Sequence, residues 1–413
     1  MSEFYDTLET RSPQERTEQQ YAQLGEMLKL VMELSPYYAE LLAEFADLKQ
    51  VDTATLPRMP LTRKSELQAL QQQQPPFGRL AQLTPPLLNR LFASPGPIYE
   101  PGTSRPDGWR FARALHAAGV RPGDLLYNTF SYHFTPAGTM VESGAHALGC
   151  AVFPAGTGQT ELQARTIADL RPPAYVGTPS FLKIILDKGD ELGFDLTSLR
   201  KALVSGEYFP PQLRSEFSER GIDAVQCYAT ADLGLIAYET TPDQGMMIDE
   251  GVIVEIVRPG TGDPVPDGEV GELVVTCLNP DYPLIRFATG DLSAILAEPS
   301  PCGRTNRRIK GWMGRADQST KVRGMFVHPS QIADLLERHT EAVKARLVLT
   351  RNEQGLDEAC LQVEATHSQE ALVQTLADEF QSLTKLRTEV ELCTPGSLAN
   401  DGKVIDDQRP IDG

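Results

Sequence analysis

The sequence predicts an α/β protein with a large N-terminal domain of helix-covered sheets, a β-rich subdomain within it, and a small α+β C-terminal domain. Three observations predict it. Between residues 109 and 300, helical apolar patterns alternate with short apolar or β-branched runs, as a parallel sheet covered by helices requires. Residues 252–257 and 270–277 are dense in Val and Ile around the turn Pro259-Gly260-Thr261-Gly262, which reads as β-rich with hairpins. After Gly324 the pattern becomes helix, strand, strand, helix, strand. The full 413 residues exceed one typical core, so at least two domains are expected.

Residues 1–50 read as helix, because Tyr21, Leu24, Met27, Leu28, Val31, Met32 and Leu34 recur near helical spacing. Gln71–Gln74 before Pro75-Pro76 is a short polar linker. Helices are then expected at Trp109–Ala118, Thr139–Leu148, Glu161–Leu170 and Ser180–Gly189, and strands at Asp124–Thr129, Ala151–Pro154 and Tyr175–Gly177. In the C-terminal part, helices are expected at Pro329–Arg338 and Gln369–Leu383. Strands there are expected at Ala345–Leu349, Ala359–Val363 and Thr388–Leu392.

Net charge is −18, from 38 basic and 56 acidic residues, which argues against nucleic acid or an acidic membrane surface as the main partner. No apolar run reaches the about 18 residues of a membrane span, and the acidic start lacks the apolar stretch of a secretory signal. The six cysteines are scattered without a CxxC, as expected of reduced thiols in a cytoplasmic protein. Against the acidic trend, Arg304, Arg307, Arg308, Lys310, Arg315, Lys321 and Arg323 crowd around a single acid, Asp317. Such a belt reads either as a solvated linker face or as a contact for a polyanionic small ligand such as a nucleotide or coenzyme A.

The chemistry is carried by separated signals: Ser205-Gly206-Glu207, Tyr228-Ala229-Thr230-Ala231-Asp232, Thr289-Gly290-Asp291, Gly314-Arg315-Ala316-Asp317 and Gly402-Lys403. Each alone is more often a turn than a site. Together they supply an aromatic for a base, carboxylates for ribose and Mg²⁺, and cations for charge developing at phosphate.

In spacing and order these segments resemble the phenylacetate–CoA ligase family of the adenylate-forming superfamily. Leu56-Pro57 through Lys64 is similar to that family's N-terminal LPxTxK stretch. Arg121-Pro122-Gly123-Asp124, Gly149–Pro154, Thr178-Pro179-Ser180, Gly271–Thr276 and Val327–Ile332 follow in the family's order. The resemblance implies ATP, Mg²⁺ and coenzyme A, a small carboxylic acid as substrate, and an acyl-adenylate intermediate. It implies Ser205, Gly206 and Glu207 at the adenine edge, Tyr228 stacked on the base and Thr230 on the α-phosphate. Asp232, where relatives carry Glu, would hold Mg²⁺. Asp291 would bind the ribose hydroxyls with Arg315 beside it, and Lys403 would bridge the acid and the α-phosphate. Ser94 and Gly96 would lie on the phosphate loop, with Lys321 and Arg323 toward coenzyme A. Tyr132, Phe134, Pro136, Ala137, Ala229 and Ile236 would line the acyl pocket, the acid being aryl or arylacetic. An AMP-binding domain over 1–316 would be followed by a mobile lid over 317–413, hinged near Asp317 between Gly314 and Gly324. A homodimer is compatible with the sequence.

Two departures stand out. The phosphate loop reads Ala93-Ser94-Pro95-Gly96-Pro97-Ile98-Tyr99-Glu100-Pro101, without the usual lysine, and its prolines donate no N–H to a phosphate. Glu100 is expected to repel the β- and γ-phosphates. Where many relatives have a Cys/His cluster, this chain has Thr240, Met246, Ser300 and Cys302, so no zinc is expected. The departures leave an alternative, a weak or inactive relative binding nucleotide or acyl-CoA as a sensor or partner subunit.

Overall fold

Leu126, Ala174, Val176 and Leu203 pack into one apolar cluster with the helices Phe111–Ala117 and Ala137–Ala147. Their chain neighbours Tyr127, Tyr175, Ala202 and Val204 pack into another with Thr160–Leu170, Pro179–Leu192 and Pro211–Glu219. Successive strand residues face opposite sides, so these strands are buried on both faces. They pair in parallel in the order Asp223–Thr230, Lys201–Val204, Ala174–Gly177, Leu125–Asn128, Ala151–Pro154. Gly234–Tyr238, Met246–Ile248 and Arg308–Ile309 continue the sheet antiparallel.

The computed structural model describes all residues except 1–2, 47–49, 82–87, 95–97, 317, 319, 323–324, 352–356, 367–369 and 410–413. The side chains of 321, 325–326 and 370 are also outside the description. Gly96, Asp317, Arg323 and the Lys321 side chain therefore lie outside it. The chain divides into two compact units, one of 1–254, 275–287 and 296–312, the other of 255–274, 288–295 and 313–413. The strands Leu284–Ser293, Gly271–Cys277 and Val252–Val257 are neighbours in one sheet and run through both units.

In the second unit, Glu389–Cys393, Asp357–Ala365, Ala342–Arg351 and Ile405–Asp407 form a sheet in that order. The helices Pro329–Arg338 and Glu370–Thr384 bury Ile332, Leu335, Leu376 and Phe380 against it.

Two expectations are corrected. The single helix over 1–50 is broken: Pro13–Leu34 ends at Ser35, whose side chain accepts the Tyr38 N–H and starts a second helix at Pro36. The basic belt is not one surface. Arg304 is 6% exposed and pairs with Glu9 at 3.2 Å, while Arg308, also 6% exposed, donates to the carbonyls of Gln244, Glu298 and Pro299. A buried guanidinium needs such partners, and these two are committed to holding segments of the first unit together.

Candidate active site

The first unit gathers much of the candidate site where its parallel strands end, the usual place for a ligand in such a sheet. Lys201–Val204 runs into Ser205, whose hydroxyl donates to the Cys227 carbonyl at 2.8 Å and ties two strand ends together. Gly206 turns the chain at φ +87°. A Cβ there would meet Thr178 Cγ2 at 3.6 Å and Phe130 Cε1 at 3.8 Å, so the backbone angle rather than space calls for glycine. The Glu207 carboxylate accepts the Ser180 N–H at 2.6 Å, a favourable place for an anion at the start of Pro179–Leu192. Tyr228 is half-buried near the end of Asp223–Thr230, and Thr230 Oγ1 accepts the Leu233 N–H at 3.2 Å. That turn carries Asp232 into the protein, with its side chain out of contact with solvent.

Asp232 meets residues to which the sequence analysis gave no such role. Its Oδ2 pairs with Lys64 Nζ at 2.6 Å, while Oδ1 is buried and has no hydrogen-bond partner. Glu100, expected to repel the β- and γ-phosphates, is turned into the protein. It is 2% exposed, because the strand Ile98–Thr103 pairs antiparallel with Leu88–Ser94 and turns it inward. It accepts the Ser94 hydroxyl at 2.7 Å, and its Oε2 has no partner. Burial and the neighbouring Asp232 charge push the Glu100 carboxyl up to about 8. Lys64 belongs to a stretch legible as a family mark; its partner, 168 residues away, was not legible.

The loop after Leu125–Asn128 holds Tyr132, Phe134 and Pro136 of the expected acyl pocket, Ala137 starts the following helix, and Ala229 and Ile236 lie on the strands Asp223–Thr230 and Gly234–Tyr238. Asn128 Nδ2 donates to the Tyr132 hydroxyl at 2.8 Å and to the Gly138 carbonyl at 2.9 Å. Pro136 is buried, Ala137 and Ala229 are half-buried, and Ile236 is wholly buried. Phe134, by contrast, is 82% exposed at φ +61° and packs against no wall. Thr240, Ser300 and Cys302 do come together. The Cys302 thiol is held below its usual range, since hydrogen bonds from Ser300, Thr240 and Arg304 outweigh burial. Among the described residues no three His, Cys, Asp or Glu gather as a metal site.

The second unit brings Asp291 and Arg315 together: a backbone bridge joins them, and Arg315 Nη1 donates to Asp291 Oδ1 at 2.9 Å. It also frames Lys403. Gly402 lies so close to Val270 and Leu292 that a Cβ would meet them at 2.6 and 3.0 Å. Gln318 donates to the Gly402 carbonyl at 3.0 Å and accepts the N–H groups of Val404 and Ile405. Arg346 donates to the Lys403 carbonyl at 3.1 Å and also binds Asp401. The Lys403 ammonium is half-exposed and pairs with Asp406 at 2.7 Å. Burial raises the Asp406 carboxyl, and the bonds from Lys403 and Gln408 more than offset it, leaving it low. Gln318 and Arg346 carry no motif, and sequence reasoning missed both.

Residues 109–277 match the family described as AMP-binding enzyme. The chain is 32% identical over 411 residues to the phenylacetate–coenzyme A ligase of Thermus thermophilus, covering 93% of this chain and 90% of that one. It belongs to the phenylacetate–CoA ligase family. Its likeness to the Pseudomonas putida phenylacetate–coenzyme A ligase is 29% over 95% of this chain and 93% of that one. Among solved structures, 2-hydroxyisobutyryl-CoA ligase with 2-HIB-AMP and CoA matches at TM-score 0.72 and 24% identity, over 99% of this chain and 93% of that one. That match supports the fold of this member of the AMP-binding enzymes.

Proposed function

We propose that this chain is an ATP-dependent, AMP-forming ligase that activates an aryl or arylacetic acid and transfers it to coenzyme A. The observation that carries this reading is the 32% identity to a phenylacetate–coenzyme A ligase over 93% of the chain. The acid's carboxylate oxygen attacks the α-phosphorus of ATP, pyrophosphate leaves, and an acyl-adenylate forms. The coenzyme A thiol then loses its proton, its sulfur attacks the acyl carbonyl, and AMP leaves.

Tyr228 stacks on adenine beside Ser205, Gly206 and Glu207. Thr230, whose oxygen already accepts Leu233 N–H, keeps its O–H to donate to the α-phosphate. Asp291 takes the ribose hydroxyls with Arg315 at its side. Lys403 neutralises charge as the α-phosphate is attacked, and a turn about Asp317 withdraws it for the thioester step. Lys321 and Arg323 reach coenzyme A phosphates. Asp232 fits a Mg²⁺ ligand, since its buried Oδ1 is an oxygen without a partner. Bound there, Mg²⁺ would neutralise the phosphate oxygens. No zinc is assigned a role. The scattered cysteines without a CxxC fit a reducing compartment, and the cytoplasm is the compartment proposed.

The acid is held between Tyr132, fixed by Asn128, and Phe134, whose exposed ring is available to cover it. Pro136, Ala137, Ala229 and Ile236 complete the walls. Thioester formation should be measured with phenylacetate, benzoate, 2-hydroxyisobutyrate and acetate. The aryl acids should lead in kcat/KM by about tenfold or more, the scale of a lost apolar contact. Phe134→Ala should raise KM for them alone. Preference for a short aliphatic acid would overturn the substrate assignment.

A further inference from the structure

We infer that Glu100 and Asp232 together form a two-carboxylate site for a divalent cation, which this chain binds before nucleotide arrives. The inference rests on the reading of Asp232 as a Mg²⁺ ligand and extends it to Glu100, which stands in the altered phosphate loop.

Both side chains lie in the first unit and are more than nine-tenths buried, Glu100 at 2% and Asp232 at 7% exposure. Each spends one oxygen on a protein donor: Glu100 on the Ser94 hydroxyl at 2.7 Å, Asp232 on Lys64 at 2.6 Å. The other oxygens, Glu100 Oε2 and Asp232 Oδ1, are buried and receive no other protein donor, and the two carboxyls lie close enough to share a proton. Both residues line one small cavity, alongside Thr103, Asn279 and Tyr282. Each unmet buried oxygen is costly, and once Glu100 gives up its proton one ammonium cannot balance two carboxylates. A cation between the free oxygens satisfies both. Carboxylate oxygens with room left for water and phosphate are the hard donor set that Mg²⁺ and Mn²⁺ accept. The site thus moves protein charge from the phosphates, where relatives use a lysine on the loop, to the metal.

The experiment is Mn²⁺ binding to the full-length, nucleotide-free protein, followed by the loss of the free-ion paramagnetic resonance signal. Wild type should bind Mn²⁺, and Glu100→Gln and Asp232→Asn should each weaken binding at least about tenfold. Glutamine keeps the fold testable, since its amide can accept from Ser94 and donate to Asp232. Glu100→Asp, which retains the charge on a shorter arm, should bind between wild type and Glu100→Gln. Wild type that takes up no Mn²⁺ without nucleotide would mean that a proton fills the gap, and would overturn the inference. So would a Glu100→Gln protein, or a Glu100→Asp protein, that binds as tightly as wild type. Mg²⁺-dependent pyrophosphate release that wild type shows and Asp232→Asn loses tests the reading of Asp232 separately.

Discussion

At Asp107 the chain buries a carboxyl that the backbone N–H groups of Ala112 and Phe111 support. Burial comes first and the Asp249 charge adds to it, against the Ala112 N–H bond at 3.1 Å, and together they push the Asp107 carboxyl up to about 7. Its other oxygen is buried without a partner. The folded protein therefore keeps a proton that the unfolded chain releases in the ordinary carboxylate range. Stability is lost as pH rises from about 4 through about 7. Asp107→Asn removes that loss and can still accept the Ala112 N–H. The melting-temperature gain of the variant over wild type should grow between about pH 5 and about pH 8; a gain equal at both would contradict the assignment. At this scale the sequence offered the groups proposed to act through their type, such as Tyr228, Thr230, Asp291 and Lys403. It did not show the inward turn of Glu100 or the Lys64–Asp232 pair, because both depend on the strand pairing Phe92 with Glu100 and on contacts between distant segments.

The loop between Leu125–Asn128 and Ala137–Ala147 is the element on which the proposed acid recognition depends. Gly138 donates its N–H to the Ser131 carbonyl, and a Cβ there would meet that carbonyl at 2.8 Å and the Tyr132 ring at 2.9 Å. Backbone on one side and a hydrogen-bonded ring on the other leave little to yield. Gly138→Ala should cost about 1–3 kcal/mol of stability, as overpacking does. It should raise KM for the acid more than for ATP; steady-state kinetics with each substrate varied would show it, and equal changes would argue against an acid-binding loop. Periodicity was a good guide to such elements: Ala151–Pro154 and Pro329–Arg338 lie where the sequence puts them. It failed where charge was read without burial, since Arg304 and Arg308 face into the first unit. It also failed at Ser35-Pro36, where the capping serine and the following proline were legible signals of a new helix.

Across the whole molecule, the α/β class and the order of the site segments were legible because each element carries its own pattern. The division into compact units was less so, since 255–274 and 288–295 group with the C-terminal residues although they lie apart from them in sequence. The proposed reaction runs in two steps, and Lys403 serves the first alone. Its side chain is half-exposed, its carbonyl is held by Arg346 and its neighbours Gly402 and Val404 by Gln318, so alanine there should leave the fold intact. The most direct measurement takes wild type and Lys403→Ala through both half-reactions, with pyrophosphate release for the first and thioester formation from supplied acyl-adenylate and coenzyme A for the second. Wild type should release pyrophosphate with an aryl acid, and Lys403→Ala should release it about 100-fold more slowly or worse, the scale of losing one preorganised charge partner, while still making thioester. Normal pyrophosphate release by the variant, or equal loss of both steps, would contradict the account.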